Sequence, residues 1–312
     1  MEQTKRTCFF ILCFLIPFTS ALAADYQKGD NREDPVPSYR QRLGELVTYE
    51  QEEEEFLNEW DSYVKYMPSR GAKSVSGGVS ITQAASEYSY DLKVGGELPL
   101  QLGVSTKYTG INNTTAVKLP SSLTFVVFGA EVTLPLFNFK NSYFRINLEP
   151  SLFGSKWNFR NSNFRFLSQY FIISQPNEFL TLLLGVAVFP DFEDEVCPII
   201  GFIYKPNDKL SFNIVPSNPN ITYSVNKKLD IFIEGDMAFG EYEVDKGNLK
   251  NTVLKYKETI LGLGFQYNIN KNMQFLFSGG GVFDRYIKYR DDSGKVSIKN
   301  GAYINCQFQI KI

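Results

Sequence analysis

No histidine occurs among these 312 residues. Imidazole is the side chain whose ordinary pKa lies near neutrality, so its absence removes Ser-His-Asp and Cys-His nucleophile systems and every histidine-bearing metal site. Cysteine is scarce as well. Cys8 and Cys13 fall in the first apolar stretch, and Cys197 and Cys306 stand too far apart in sequence to form a metal site by spacing. Cys306 lies on the apolar face of its segment, which favours packing over a disulfide. Long apolar runs are also missing. After Ala23 none approaches the ~18 residues that a membrane helix requires. Neither sign of charge dominates: the formal net charge is -2, so there is no global basic footprint and we expect no nucleic-acid partner.

What is abundant is aromatic carbon. The chain has 27 Phe and 18 Tyr, yet only 43% of its residues are hydrophobic. That mixture suits a wall apolar on one side only, with aromatic girdles at two interfaces. The last twelve residues follow the same rule. Ala302, Ile304, Cys306, Phe308, Ile310 and Ile312 alternate with Gly301, Tyr303, Asn305, Gln307, Gln309 and Lys311. A strand has a period of two, so one face is dry and the other wet over the length that crosses a bilayer.

The amino terminus points to the same compartment. Lys5 and Arg6 precede an apolar core from Cys8 to Phe18, and Ala21-Leu22-Ala23 gives a small-x-small cleavage pattern. Residues 1–23 therefore read as a secretory signal peptide. Residues 24–72 form an acidic leader, with twelve Asp/Glu against six Lys/Arg. Within it Leu43, Leu46, Val47, Phe56, Trp60, Tyr63, Val64 and Met67 recur at roughly helical spacing, so we expect an amphipathic periplasmic helix over 43–66. Its run Glu50-Gln-Glu-Glu-Glu-Glu55 reads as a solvated face, with cation binding or a periplasmic partner as the alternative.

From residue 73 to 312 the alternation predicts an all-β, antiparallel, up-and-down transmembrane barrel of about 12 strands, within a range of 10–14. Breaks are expected at 84–87 and at Pro216 to Pro219, leaving 210–215 and 219–225 too short to span and folded at the rim or inward. Counted back from the carboxyl end, tight turns rich in Asn, Pro or Lys alternate with longer charged connections, which puts both ends of the barrel on the periplasmic side.

Alternation also names the residues facing the lumen: Asp91, Lys93, Glu97, Lys107, Glu131, Arg145, Glu149, Asp230, Glu234 and Asp236, with Tyr143 and Asn147 on the face of Arg145. Interdigitating charges filling a narrow barrel are the favoured reading, since an unpaired buried charge costs several kcal/mol. Solute selectivity comes next, and acid–base use of the Glu234–Asp236 pair is the remaining alternative. The run Asp191-Phe-Glu-Asp-Glu195 sits in an outer connection, where a plain solvated loop competes with Ca²⁺ binding or a divalent bridge to lipopolysaccharide. Ser278-Gly-Gly-Gly281 lacks the Lys-Ser/Thr of a phosphate loop. No cofactor and no catalytic residue is expected. The expected partners are outer-membrane lipid, lipopolysaccharide and the barrel-assembly machinery. A soluble, secreted β-protein that binds a ligand is the competing class.

One stretch carries a resemblance. Pro198-Ile-Ile-Gly201-Phe-Ile-Tyr204-Lys-Pro206, its tight turn and the following strand ending in Pro216 resemble an uncharacterised family of bacterial outer-membrane β-barrel proteins. The resemblance covers residues 73–312 and implies location and fold, and it assigns no catalytic residue. Two features depart from the family. The chain ends in Ile312 where a terminal aromatic is usual, with Phe308 the nearest substitute, and the acidic segment at 43–66 is extra.

Overall fold

The computed structural model describes residues 58–94, 98–136, 139, 141–155, 163–216, 218–246 and 249–311. The expected signal peptide and most of the acidic leader lie outside these residues. The described elements are strands: β1 Glu59–Gly71, β2 Gly78–Val94, β3 Leu98–Asn113, β4 Ser122–Pro135, β5 Ser142–Gly154, β6 Phe164–Asn177, β7 Leu180–Val188, β8 Val196–Asn207, β9 Leu210–Ile214, β10 Asn220–Asn226, β11 Leu229–Lys246, β12 Leu249–Asn270, β13 Met273–Tyr289, β14 Lys295–Ile298 and β15 Gly301–Lys311.

Each strand from β1 to β13 pairs antiparallel with its sequence neighbour, and β15 closes the ring by lying between β13 and β1. β14 and β15 follow one another along β13, so the barrel has 14 strand positions. That is the upper end of the expected range rather than about 12. Glu59 pairs with Lys311, so the barrel's first and last strands reach one rim together. We call this the terminal rim.

Three expectations are corrected. Residues 59–66 are not the end of a helix, and the barrel begins at Glu59 rather than Lys73. Trp60, Val64 and Tyr66 point outward and Glu59, Lys65 and Met67 inward, so a period of two had been hidden among aromatics that also fit a helical spacing. Residues 84–87 are no turn, because β2 runs through them with continuous partners on β1 and β3. β9 and β10, though short, stand in the wall between β8 and β11.

The outer face is apolar. Val104, Phe128, Leu184, Ile200, Leu263 and Ile304 are all exposed, while the residues between them are small, polar or covered. On β15, Ile304 and Cys306 are exposed and Tyr303, Asn305, Gln307 and Gln309 are buried, as the alternation required. Strand pairing around the ring satisfies most backbone donors and acceptors internally, so this apolar surface can face hydrocarbon.

Candidate functional site

The chemistry lies inside the ring. Lys65 on β1 pairs laterally with Gln83 on β2 and Asn305 on β15, and its chain crosses the lumen to Asp236 on β11, with Nζ to Oδ2 at 3.7 Å. The ammonium lies 5.9 Å from the Tyr63 ring centre and 5.8 Å from that of Tyr303. The Tyr303 hydroxyl donates to Glu234 Oε1 at 2.7 Å. It passes over Gly262, where a Cβ would collide with the tyrosine oxygen, so only glycine fits there. Gln83 Nε2 reaches across to Tyr256 at 3.2 Å and to Glu258 at 3.1 Å, and the Tyr256 hydroxyl donates to Glu258. These residues form a polar belt joining strands three or four positions apart in the ring.

Beside the belt lies a cavity of about 180 Å³ lined by Asp61, Tyr63, Glu87, Ser105, Lys107 and Gln307, with the short Ala85 leaving room. Gln307 Nε2 donates to Asp61 Oδ2 at 2.6 Å. A second network lies on β4–β6. Arg145, only 1% exposed, meets Glu131 at 3.2 Å and Thr133 at 3.2 Å. Asn147 Nδ2 donates to Glu149 at 2.7 Å, and Gln169 reaches the same carboxylate.

Nearer the terminal rim, Gln101 Nε2 donates to Asp91 Oδ1 at 2.6 Å. Asp230 is buried on β11 and Lys93 is exposed, while Glu97 lies outside the described residues. The nine lumen candidates among the described residues are thus spread over separate groups. Glu234 and Asp236 share a face but bond to different partners, Tyr303 and Lys65. Lys65, Gln83, Tyr256, Glu258 and Tyr303 were missed. Lys65 had been assigned to a helix and Gln83 to the edge of a false turn. Period-two counting along 252–268 would have exposed Tyr256 and Glu258.

Above the belt the interior turns dry. Met67, Val79, Ile81, Leu254, Ile287 and Ile298 are fully buried together. The far rim is also crossed. Glu243 on β11 forms a parallel bridge with Gly154 on β5, and Ser155 N donates to Glu243 O at 3.1 Å. Phe153 packs edge-on against Tyr242 and Phe192, with ring centres 5.6 and 5.5 Å apart. Glu241 gathers Arg290, Lys255 at 3.6 Å and the Glu193 backbone N–H at 3.0 Å. Burial, with Arg165 nearby, lowers the Arg290 guanidinium from its ordinary pKa, but it stays charged at neutral pH. Glu193 of the acidic run contacts Lys255. Among the described residues no three metal-ligating side chains come together.

Several solved barrels are similar in fold. The COG4313 outer membrane channel from Pseudomonas putida F1 is 10% identical over 85% of this chain and 98% of its own, with a TM-score of 0.48. The KdgM porin is 12% identical over 81% of this chain and 99% of its own, with a TM-score of 0.35. The P. putida toluene transporter TodX is 7% identical over 82% and 89%, with a TM-score of 0.36. No curated protein is significantly similar in sequence. Residues 99–311 match the family described as Domain of unknown function (DUF6268), and this chain belongs to that family.

Proposed function

We propose that the protein is a non-catalytic outer-membrane channel for small solutes, with its terminal rim in the periplasm and its far rim facing outward. One observation carries the reading: a closed ring that is apolar outside encloses a charged belt and, beside it, a polar cavity. A barrel needed only as a scaffold can fill such space with apolar side chains, which avoids the cost of burying charge. The far rim is the controlling constriction, because Glu241 and Glu243 tie β11 to elements across the mouth. A solute passes once those ties release. The lumen residues Asp91, Lys93, Lys107, Glu131, Arg145 and Glu149 hold the wall and set selectivity, and Glu234 and Asp236 are held as ion-pair and hydrogen-bond partners rather than as an acid–base pair.

Planar bilayers containing the purified protein test this. Discrete current steps are expected, and they become more frequent in the E241Q variant. Silence at all voltages for both proteins would reduce the barrel to a structural element.

A further inference from the structure

The ring closes through β9 and β10, but among the described residues these two strands leave the wall short on the far-rim side. β8 begins at Val196, but β9 pairs with it only from Phe202 toward the terminal rim. On the other side, β10 pairs with β11 only up to Glu234. Beyond those points the edges of β8 from Val196 to Gly201 and of β11 from Gly235 onward have no strand between them among the described residues, until Glu243 meets β5. Pro216 and Pro219 explain the early stop, since proline lacks the N–H that a ladder needs.

The opening has a defined frame. Its floor is made by Val215 and Pro219, between β9 and β10. A Cβ on Gly201 would lie 2.9 Å from Ile214 O and 3.0 Å from Val215 Cα, so only glycine lets the turn sit so close. The other end of the floor is fixed by Gly235 N donating to Pro219 O at 2.7 Å. Its roof is Phe189, whose ring lies 5.3 Å from that of Phe239 on β11. Four residues of strand from Gly235 to Phe239 make it roughly 13 Å tall.

The frame is apolar on its lipid side and along the lumen side of β8, while on β11 Asp236 faces the lumen, held by Lys65 at 3.7 Å. Outward from the two edges, Val196, Ile200 and Met237 are exposed in the lipid-facing surface. On the lumen side Ile199 packs against the cluster of Phe171, Ile173, Leu183, Ile203 and Val215. We propose that this opening is a lateral portal through which a lipid-partitioning apolar small molecule passes between the bilayer and the lumen. The inference rests on the reading of the barrel as a solute channel and names the class of solute. An acyl chain or aromatic ring loses no hydration by entering such an opening from hydrocarbon, whereas an ion or sugar would have to shed its water.

Cys197 is a built-in reporter, half-buried on the β8 edge and on the same side as Ile199. With Cys8, Cys13 and Cys306 replaced by Ser, it is the sole thiol. The full protein in liposomes is treated with a long-chain alkyl maleimide dissolved in the bilayer. An A85C variant that also carries C197S serves as the reference inside the ring. Cys197 should react at least about tenfold faster than that reference, because the reagent concentrates in lipid. Uptake of a hydrophobic naphthylamine dye by cells should fall several-fold when I199W fills the opening. Heat-modifiable migration confirms that each variant is folded. Equal labelling of the two thiols, or dye uptake untouched by I199W, overturns the portal. Absence of ionic current from every variant overturns the channel reading instead, and labelling reports the portal independently of that result.

Discussion

Outside the dry layer of Met67, Val79, Ile81, Leu254, Ile287 and Ile298, the two halves of the lumen solve one packing problem in opposite ways. From β11 through β13 and β15 to β5, long strands bring charged and hydroxylated side chains inward and tie them to one another: Lys65 to Asp236, Gln83 to Glu258, Tyr303 to Glu234 and Arg145 to Glu131. From β6 to β9 the strands are shorter and the interior is Phe171, Ile173, Leu183, Ile203 and Val215. The first half is specified by directional bonds that fail if one partner is lost. The second is held by close packing, which tolerates a gap in the wall because it does not depend on a continuous ladder. A channel lumen needs the first kind of interior, and a membrane-facing opening needs the second.

The sharpest way to break the contrast is at Arg145, which borders the apolar half. R145M removes the buried guanidinium that meets the half-buried Glu131, and we expect a loss of about 3–5 kcal/mol. It is read from the lowered temperature at which the heat-modifiable band shifts. The double variant E131Q/R145M should recover most of the loss. If R145M alone is neutral, the polar half is not held by charge pairing. In the apolar half, I173A should cost about 2–4 kcal/mol through lost burial and a residual cavity, with no partner substitution able to restore it. Smaller still is Y303F. It removes one donor from Glu234, and the expected cost is about 1–3 kcal/mol in the same assay. A cost near zero would mean that another group satisfies the carboxylate.

These halves were not equally legible in the sequence. β15 could be read outright, since its alternation continues for eleven residues with no interruption, and the same is true of β11, where Ile231, Ile233, Met237 and Phe239 emerge on the lipid side. β1 could not. Trp60, Tyr63, Val64 and Met67 fit a helical spacing as well as a strand, and only the register against β15 and β2 decides between them. Small residues caused the second miss: Ala84, Ala85 and Ser86 look like a turn but are strand positions, and Ala85 and Ser86 line the cavity beside Lys107. The site was legible one face at a time. Alternation shows that Glu234 and Asp236 point inward, but the partners that hold them come from strands far away in sequence. The gap beside β8 was half visible, since Pro216 and Pro219 had already marked β9 and β10 as too short to span.

The smallest effect separates the buried belt from the mouth. Arg290 meets Glu241 from the water side, where it is 38% exposed. Lys65, by contrast, is 3% exposed at Asp236. Screening acts on the first set and hardly on the second, because the Debye length shrinks from about 10 Å at 0.1 M salt to about 3 Å at 1 M. Raising salt over that range should therefore increase the frequency of current steps by a few-fold, beyond the rise in conductance that more carriers produce. The E241Q protein, its mouth already loosened, should show little further change in frequency. Were both proteins to respond equally, the ties at Glu241 would not be what holds the mouth. The constriction would then lie in the dry layer of Met67, Ile81 and Leu254, which salt does not weaken.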